Sequence, residues 1–62
     1  SNLQRMRKNC GMTQKELAEK SGTSRRMVQL YEQRKQDIRK AEAQTLVNLS
    51  RVLGCGVEDL FD

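Results

Sequence analysis

The amino-acid sequence predicts a compact all-α domain built from five short helices. Apolar residues recur at three- and four-residue spacing along the chain, which is the period of a helix face. Proline is absent, and β-branched residues neither cluster nor alternate with polar ones as they do in strands. At 62 residues the chain has room for one domain, spanning 1–62, with a thin core.

Glycines and a capping motif delimit the first two helices. A first helix over about residues 3–10 is followed by Gly11, which can adopt the left-handed conformation that ends a helix. Residues 13–16 read Thr-Gln-Lys-Glu, the pattern of a capping box, in which each outer side chain bonds the other residue's backbone amide. We therefore expect a second helix to begin at Gln14 and to end at Gly22.

The third helix is predicted over about residues 24–33, with Ser24 as a good N-cap. Its inner face consists of three side chains at helical spacing: Met27, Val28 and Tyr31. Residues 34–40 are polar except for Ile38, and they predict a basic loop held to the core by that isoleucine.

Two more helices complete the pattern. A fourth begins at Ala43 and ends at Gly54, and a short fifth follows. Their apolar faces comprise Leu46, Leu49, Val52, Leu53, Val57, Leu60 and Phe61. We expect the last three, Val57, Leu60 and Phe61, to be both the lid of the core and a dimer seam, with Phe61 the more exposed.

Composition excludes several classes of protein. The chain has no histidine, no cysteine beside a base and no carboxylate pair suited to a cleft, so we expect no enzyme. Cys10 and Cys55 lack the spacing of a zinc site, and we expect reduced thiols, no disulfide, no metal and no cofactor.

Nothing in the sequence predicts a membrane partner. No apolar run approaches the roughly 18 residues of a membrane helix, and no secretory leader is present, so we expect a cytoplasmic protein. Ser1 and Asn2 precede the periodic pattern, and we interpret them as a cleavage scar or a trimmed end.

Positive charge is concentrated in the first two thirds of the chain. The formal net charge is +4, but residues 1–40 hold eleven Lys and Arg against four Asp and Glu, whereas residues 41–62 hold one against four. This polarity suits a protein that binds an anion with one face.

The second and third predicted helices, joined by a tight glycine turn, match a helix-turn-helix that reads duplex DNA. A helix about 10–12 Å across fits a major groove roughly 12 Å wide, with its N-terminal residues facing the base edges. Arg25 and Arg26 occupy that first turn, and each guanidinium can donate two hydrogen bonds to guanine. Two positive charges at the start of a helix are also unfavourable, because they lie beside the positive end of the helix dipole. This placement favours a DNA contact over a purely structural role.

Residue type and spacing agree with one known family in all five predicted helices. The agreement is carried by Leu3, Met6, Arg7, Met12–Ala18, Gly22–Arg25, Tyr31, Glu32, Thr45, Leu46, Leu49, Leu53, Gly54 and Val57–Leu60. Through these residues the chain resembles the lambda-repressor-like, Cro/cI-type helix-turn-helix domains of the XRE family. The resemblance implies a bacterial or phage transcription regulator, expected to be a repressor, that binds a palindromic operator in double-stranded DNA as a homodimer.

The resemblance also implies roles for individual residues. The base-reading positions are Arg25, Arg26 and Leu30. Contacts to phosphate or sugar fall to Gln14, Thr23, Ser24, Gln29, Arg34, Lys35, Arg39 and Lys40. Arg7 and Glu32 match a structural ion pair of some relatives.

Two features depart from the family pattern. Arg34 stands where the family often has a glycine two residues after the glutamate, and the loop is about one residue longer. Leu30 stands where many relatives carry glutamine, so contact with a thymine methyl replaces hydrogen bonding there.

Other functions remain open at this point. The same fold can serve chiefly as an antitoxin or another protein-interaction subunit, with a toxin as partner and DNA binding secondary. RNA binding is less favoured, since Tyr31 and Phe61 are the only aromatic residues and cannot form a stacking platform. We expect the homodimer to be weak in the absence of DNA.

Overall fold

The computed structural model describes all 62 residues as four α-helices and two short 3₁₀ helices, without strands. The α-helices are α1 (Asn2–Asn9), α2 (Gln14–Ser21), α3 (Arg25–Glu32) and α4 (Ala43–Leu53). The loop 3₁₀ helix covers Ile38–Lys40, and the C-terminal 3₁₀ helix covers Val57–Leu60. The all-α prediction is confirmed.

Helix ends fall where the local sequence signals place them. The Thr13 hydroxyl accepts a hydrogen bond from the Glu16 amide at 3.1 Å, and the Glu16 carboxylate accepts one from the Thr13 amide at 3.0 Å, so the capping box is complete. Gly22 ends α2 with a φ of 70°, a conformation that glycine adopts without steric cost. The predicted boundaries of the four α-helices are correct to within about one residue.

The predicted fifth helix is not an α-helix. Its amide hydrogen bonds span three residues, from Asp59 to the Gly56 carbonyl at 3.1 Å and from Phe61 to the Glu58 carbonyl at 3.3 Å. A segment of four residues is the usual length of a 3₁₀ helix, and its hydrophobic spacing alone does not distinguish the two forms. The five-helix prediction is therefore wrong in this element.

A single apolar core lies between the helices. It contains ten buried residues: Leu3, Leu17, Ala18, Val28, Tyr31, Ile38, Leu46, Leu49, Leu53 and Leu60. Ile38 anchors the otherwise exposed loop, as its position predicted. Leu60 is only 1 % exposed, so it closes the core and has almost no surface for a dimer contact, whereas Val57 and Phe61 are half-buried.

The two ends of the chain meet. The Asn2 amide donates to the Asp62 carboxylate at 2.7 Å, and the Asn2 side chain donates to the Phe61 carbonyl at 2.8 Å. The Ser1 hydroxyl accepts from the Gln4 amide at 3.1 Å and caps α1. Both residues that the sequence analysis set aside therefore make specific contacts.

The longest helix, α4, has 11 residues, and none of the helices is long and apolar enough to cross a membrane.

Candidate nucleic-acid interface

A buried ion pair sets the position of α3 relative to α1. Arg7 Nε lies 2.6 Å from Glu32 Oε2, and Arg7 Nη2 donates to Glu32 Oε1 at 3.0 Å. The third guanidinium nitrogen donates to the Met12 carbonyl at 2.8 Å. The hydrogen bond to Glu32 raises the pKa of Arg7 above its ordinary value, so the guanidinium remains charged although it is buried.

Gln14, at the first position of α2, joins the same network. Its side-chain nitrogen donates to Glu32 Oε1 at 3.1 Å, so one carboxylate connects α1, α2 and α3. The backbone amides of Gln14 and Lys15 make no hydrogen bond within the chain, as is normal for the first turn of a helix. The start of α2 thus presents free N–H groups, while part of the Gln14 side chain is engaged internally.

Three residues, Gly22 to Ser24, join α2 to α3, and the two helices pack against each other. The Ser24 hydroxyl caps α3 by accepting from the Met27 amide at 3.1 Å. A shallow groove runs from Lys15 on α2 past Thr23 and Ser24 to Arg25. This groove brings Lys15, which the sequence analysis did not single out, next to the predicted contacts.

One face of α3 is turned to solvent and carries no acid. At roughly 100° per residue, the following residues form one continuous stripe: Arg25, Arg26, Gln29, Leu30 and Gln33. Leu30 is half-buried and the others are exposed. The opposite face, with Val28, Tyr31 and Glu32, is buried. Gln33 belongs to the stripe but was missed as a site residue; its position four residues after Gln29 was the available signal.

Arg25 and Arg26 are free of ion pairs. The two ion pairs of the chain are Arg7 with Glu32 and Arg34 with Asp62, so no carboxylate neutralises either arginine at the start of α3. Both side chains are exposed. Their guanidinium groups are therefore available to an external anion or base edge.

The four loop cations that were predicted to contact phosphate divide into two kinds. Lys35 and Lys40 are exposed and unpaired. Arg34 and Arg39 contact the last two residues of the chain, which the sequence did not predict. Arg34 also has a φ of 59°, which explains why the related domains often place a glycine at this position.

Two short helices joined by a three-residue glycine turn, with a polar face on the second, define a helix-turn-helix domain. The helix-turn-helix family model matches residues 3–60, and the chain belongs to this family, in its XRE, lambda-repressor-like form. No curated protein and no solved structure matches the chain significantly. The family is regulatory and DNA-binding rather than enzymatic, and the chain is a DNA-binding regulator of the XRE type.

Proposed function

We propose that the protein represses transcription by binding a palindromic operator as a homodimer, with α3 of each subunit in the major groove. The observation that carries this proposal is the acid-free exposed face of α3, which opens with the unpaired pair Arg25 and Arg26. An operator occupied in this way excludes polymerase from the overlapping promoter.

The base contacts are assigned to the exposed face of α3. Arg25 and Arg26 each present a planar fork that matches O6 and N7 of guanine, a geometry that lysine lacks. Leu30, half-buried one turn further along, offers an apolar surface to a thymine methyl. Gln29 and Gln33 extend the same stripe and are suited to sugar, phosphate or adenine edges.

Phosphate contacts are assigned to the helix starts and the loop. The free amides of Gln14 and Lys15 point out of the N-terminus of α2, where the helix dipole favours an anion. The Ser24 oxygen already accepts a hydrogen bond, and its hydroxyl hydrogen remains available to a phosphate. Lys35 and Lys40 supply two further exposed and unpaired charges from the loop.

The test is a selection of bound sequences from random duplex DNA at two salt concentrations. We expect an enriched inverted repeat whose half-sites lie about 34 Å, or one helical turn, apart, bound on the order of 10³-fold better than scrambled duplex. Binding that is steeply salt-dependent but blind to sequence, or no binding, would contradict the proposal. That result would favour the protein-interaction alternative, with a toxin or another protein as partner.

A further inference from the structure

The end of the chain holds two loop arginines in the free protein. Arg34 Nε lies 3.1 Å from Asp62 Oδ2, and Arg39 Nη2 donates to the Asp62 main-chain oxygen at 3.0 Å. The Arg39 guanidinium also stands 5.7 Å from the centre of the Phe61 ring. The Asn2 amide, at 2.7 Å from Asp62 Oδ1, fixes the carboxylate from the other side. We call these contacts the terminal clamp.

The terminal clamp lies at the surface and can open. The Arg34 side chain is 66 % exposed and the Asp62 side chain 32 %. Ion pairs this exposed are weak in water and are screened by salt. The phosphates of a duplex and the Asp62 carboxylate therefore compete for the same arginines.

We propose that Asp62 is a positioning residue that withholds Arg34 and Arg39 from DNA phosphates. The inference rests on the proposed function. It adds a control of DNA affinity that acts through contacts with phosphates and leaves the reading of bases unchanged. Opening of the clamp frees two cations without moving α3, because neither arginine lies within that helix. The clamp thus lowers both the affinity for DNA and the number of phosphates neutralised.

The variant Asp62→Asn tests the inference, with Glu58→Gln as the matched control. Asparagine retains an oxygen that can accept from the Asn2 amide but removes the charge that holds Arg34. Glu58→Gln removes the same charge from the same segment, and Glu58 makes no ion pair. Thermal unfolding of both variants confirms that each is folded at the temperature of the binding assay.

The readout is operator affinity measured between 50 and 200 mM salt. Each additional phosphate contact steepens the slope of log K against log salt by about 0.9. We expect Asp62→Asn to steepen the slope by about 1, because it releases Arg34 while the main-chain oxygen still holds Arg39, and to bind several-fold more tightly at the lowest salt. In a background that carries Arg34→Gln and Arg39→Gln, the same substitution should have no such effect. An Asp62→Asn slope equal to that of Glu58→Gln, or weaker binding, overturns the inference.

Retention on heparin separates this inference from the proposed function. If the wild type binds its selected duplex and Asp62→Asn behaves like Glu58→Gln, only the clamp is disproved. If the wild type binds no duplex, the proposed function fails and heparin decides about the clamp. Elution of Asp62→Asn at higher salt than Glu58→Gln then supports the withholding of the two arginines, and identical elution disproves it.

Discussion

Glu32 accepts hydrogen bonds from two side chains that come from two other helices. Its carboxylate receives two donors from Arg7 and one from Gln14, at distances between 2.6 and 3.1 Å. Every buried side-chain nitrogen and oxygen of the chain has a partner, so this burial of charge is fully compensated. The network matters for function because it sets the start of α2 against α3, the two elements to which DNA contacts are assigned.

Removal of the Glu32 charge should destabilise the fold strongly. In Glu32→Gln the Arg7 guanidinium remains buried without its counter-charge, which costs about 3–5 kcal/mol. Small domains have about 5–15 kcal/mol of stability in total, so urea unfolding should show a large fall in the midpoint. The double variant Arg7→Met, Glu32→Leu should recover much of that loss, since an apolar pair of similar volume needs no charge compensation. A Glu32→Gln midpoint equal to that of the wild type would contradict the structural role.

Glu16 makes the stability depend on pH. The hydrogen bond from the Thr13 amide, followed by that with the Thr13 side chain, holds the pKa of Glu16 below its ordinary value. A carboxylate with a depressed pKa in the folded state stabilises the fold above its unfolded pKa of about 4.3 and loses this contribution as the pH falls through the folded pKa.

We therefore expect Glu16→Gln to have a lower melting temperature than the wild type at neutral pH and the same one in strong acid. Melting curves of the two proteins between about pH 7 and pH 2 measure this difference. A gap that stays constant or widens as the pH falls would show that Glu16 does not act through its charged form.

Arg25 and Lys35 should differ in what they contribute to DNA binding. Arg25→Ala should weaken binding to the selected operator by about 1–3 kcal/mol and relax the preference at one base pair, because a base contact is lost. Lys35→Ala should weaken all sequences alike and lower the salt slope by about 1, because only a phosphate contact is lost. The measurement is affinity on the operator and on single-base variants. Equal losses on every sequence for both variants would refute the assignment of Arg25 to base readout.

The end of α3 depends on one residue with an unfavourable backbone conformation. Arg34 is the only non-glycine residue with a positive φ, at 59°. Here the chain leaves α3, and the amides of Lys35 and Gln36 both bond to the Leu30 carbonyl, at 2.9 and 3.3 Å. This arrangement requires the left-handed conformation at position 34, which a side chain disfavours.

Arg34→Gly should therefore be more stable than Arg34→Ala by about 1 kcal/mol. Both substitutions remove the contact with Asp62, so the comparison isolates the backbone conformation. Chemical unfolding of the two variants measures the difference. An alanine variant as stable as the glycine variant would mean that the left-handed turn does not limit the stability of this segment.

Signals that act within a few residues could be read from the sequence, whereas contacts between residues far apart in the chain could not. The capping box at Thr13 and the glycine at position 22 act within four residues, and both predicted their helix ends correctly. The engagement of Gln14 by Glu32 joins residues 18 positions apart, and that of Asn2 by Asp62 joins residues 60 apart. No pattern in the chain encodes such pairs, so the terminal clamp and the internal bond of Gln14 emerged only from the fold. The exposed stripe on α3, in contrast, follows from helical periodicity.

The size of the domain limits how two copies can contact each other on DNA. The main chain measures 25 × 22 × 19 Å, whereas recognition helices in adjacent major grooves lie about 34 Å apart. A stable dimer buries about 800 Å² on each partner, which would be about a fifth of the 3980 Å² surface of this domain. The larger apolar side chains that reach the surface in the C-terminal third are Val47, which is 37 % exposed, and the half-buried Val52, Val57 and Phe61, and Phe61 is already covered in part by Arg39. We therefore expect the contact between two DNA-bound copies to cover a small area.

From this geometry we expect a protein that is monomeric at micromolar concentration and dimeric on its operator. Sedimentation of the free domain should show the monomer, and a palindromic duplex should bind two copies cooperatively because the DNA holds them side by side. Insertion of five base pairs between the half-sites rotates one copy by about half a turn and should reduce affinity to that of a single half-site. Val57→Ala, which changes no charge and leaves the terminal clamp intact, should reduce cooperativity on the intact palindrome and leave half-site affinity unchanged. Equal affinity for the intact and the expanded site would show that the two copies bind independently, and the homodimer would then have no part in recognition.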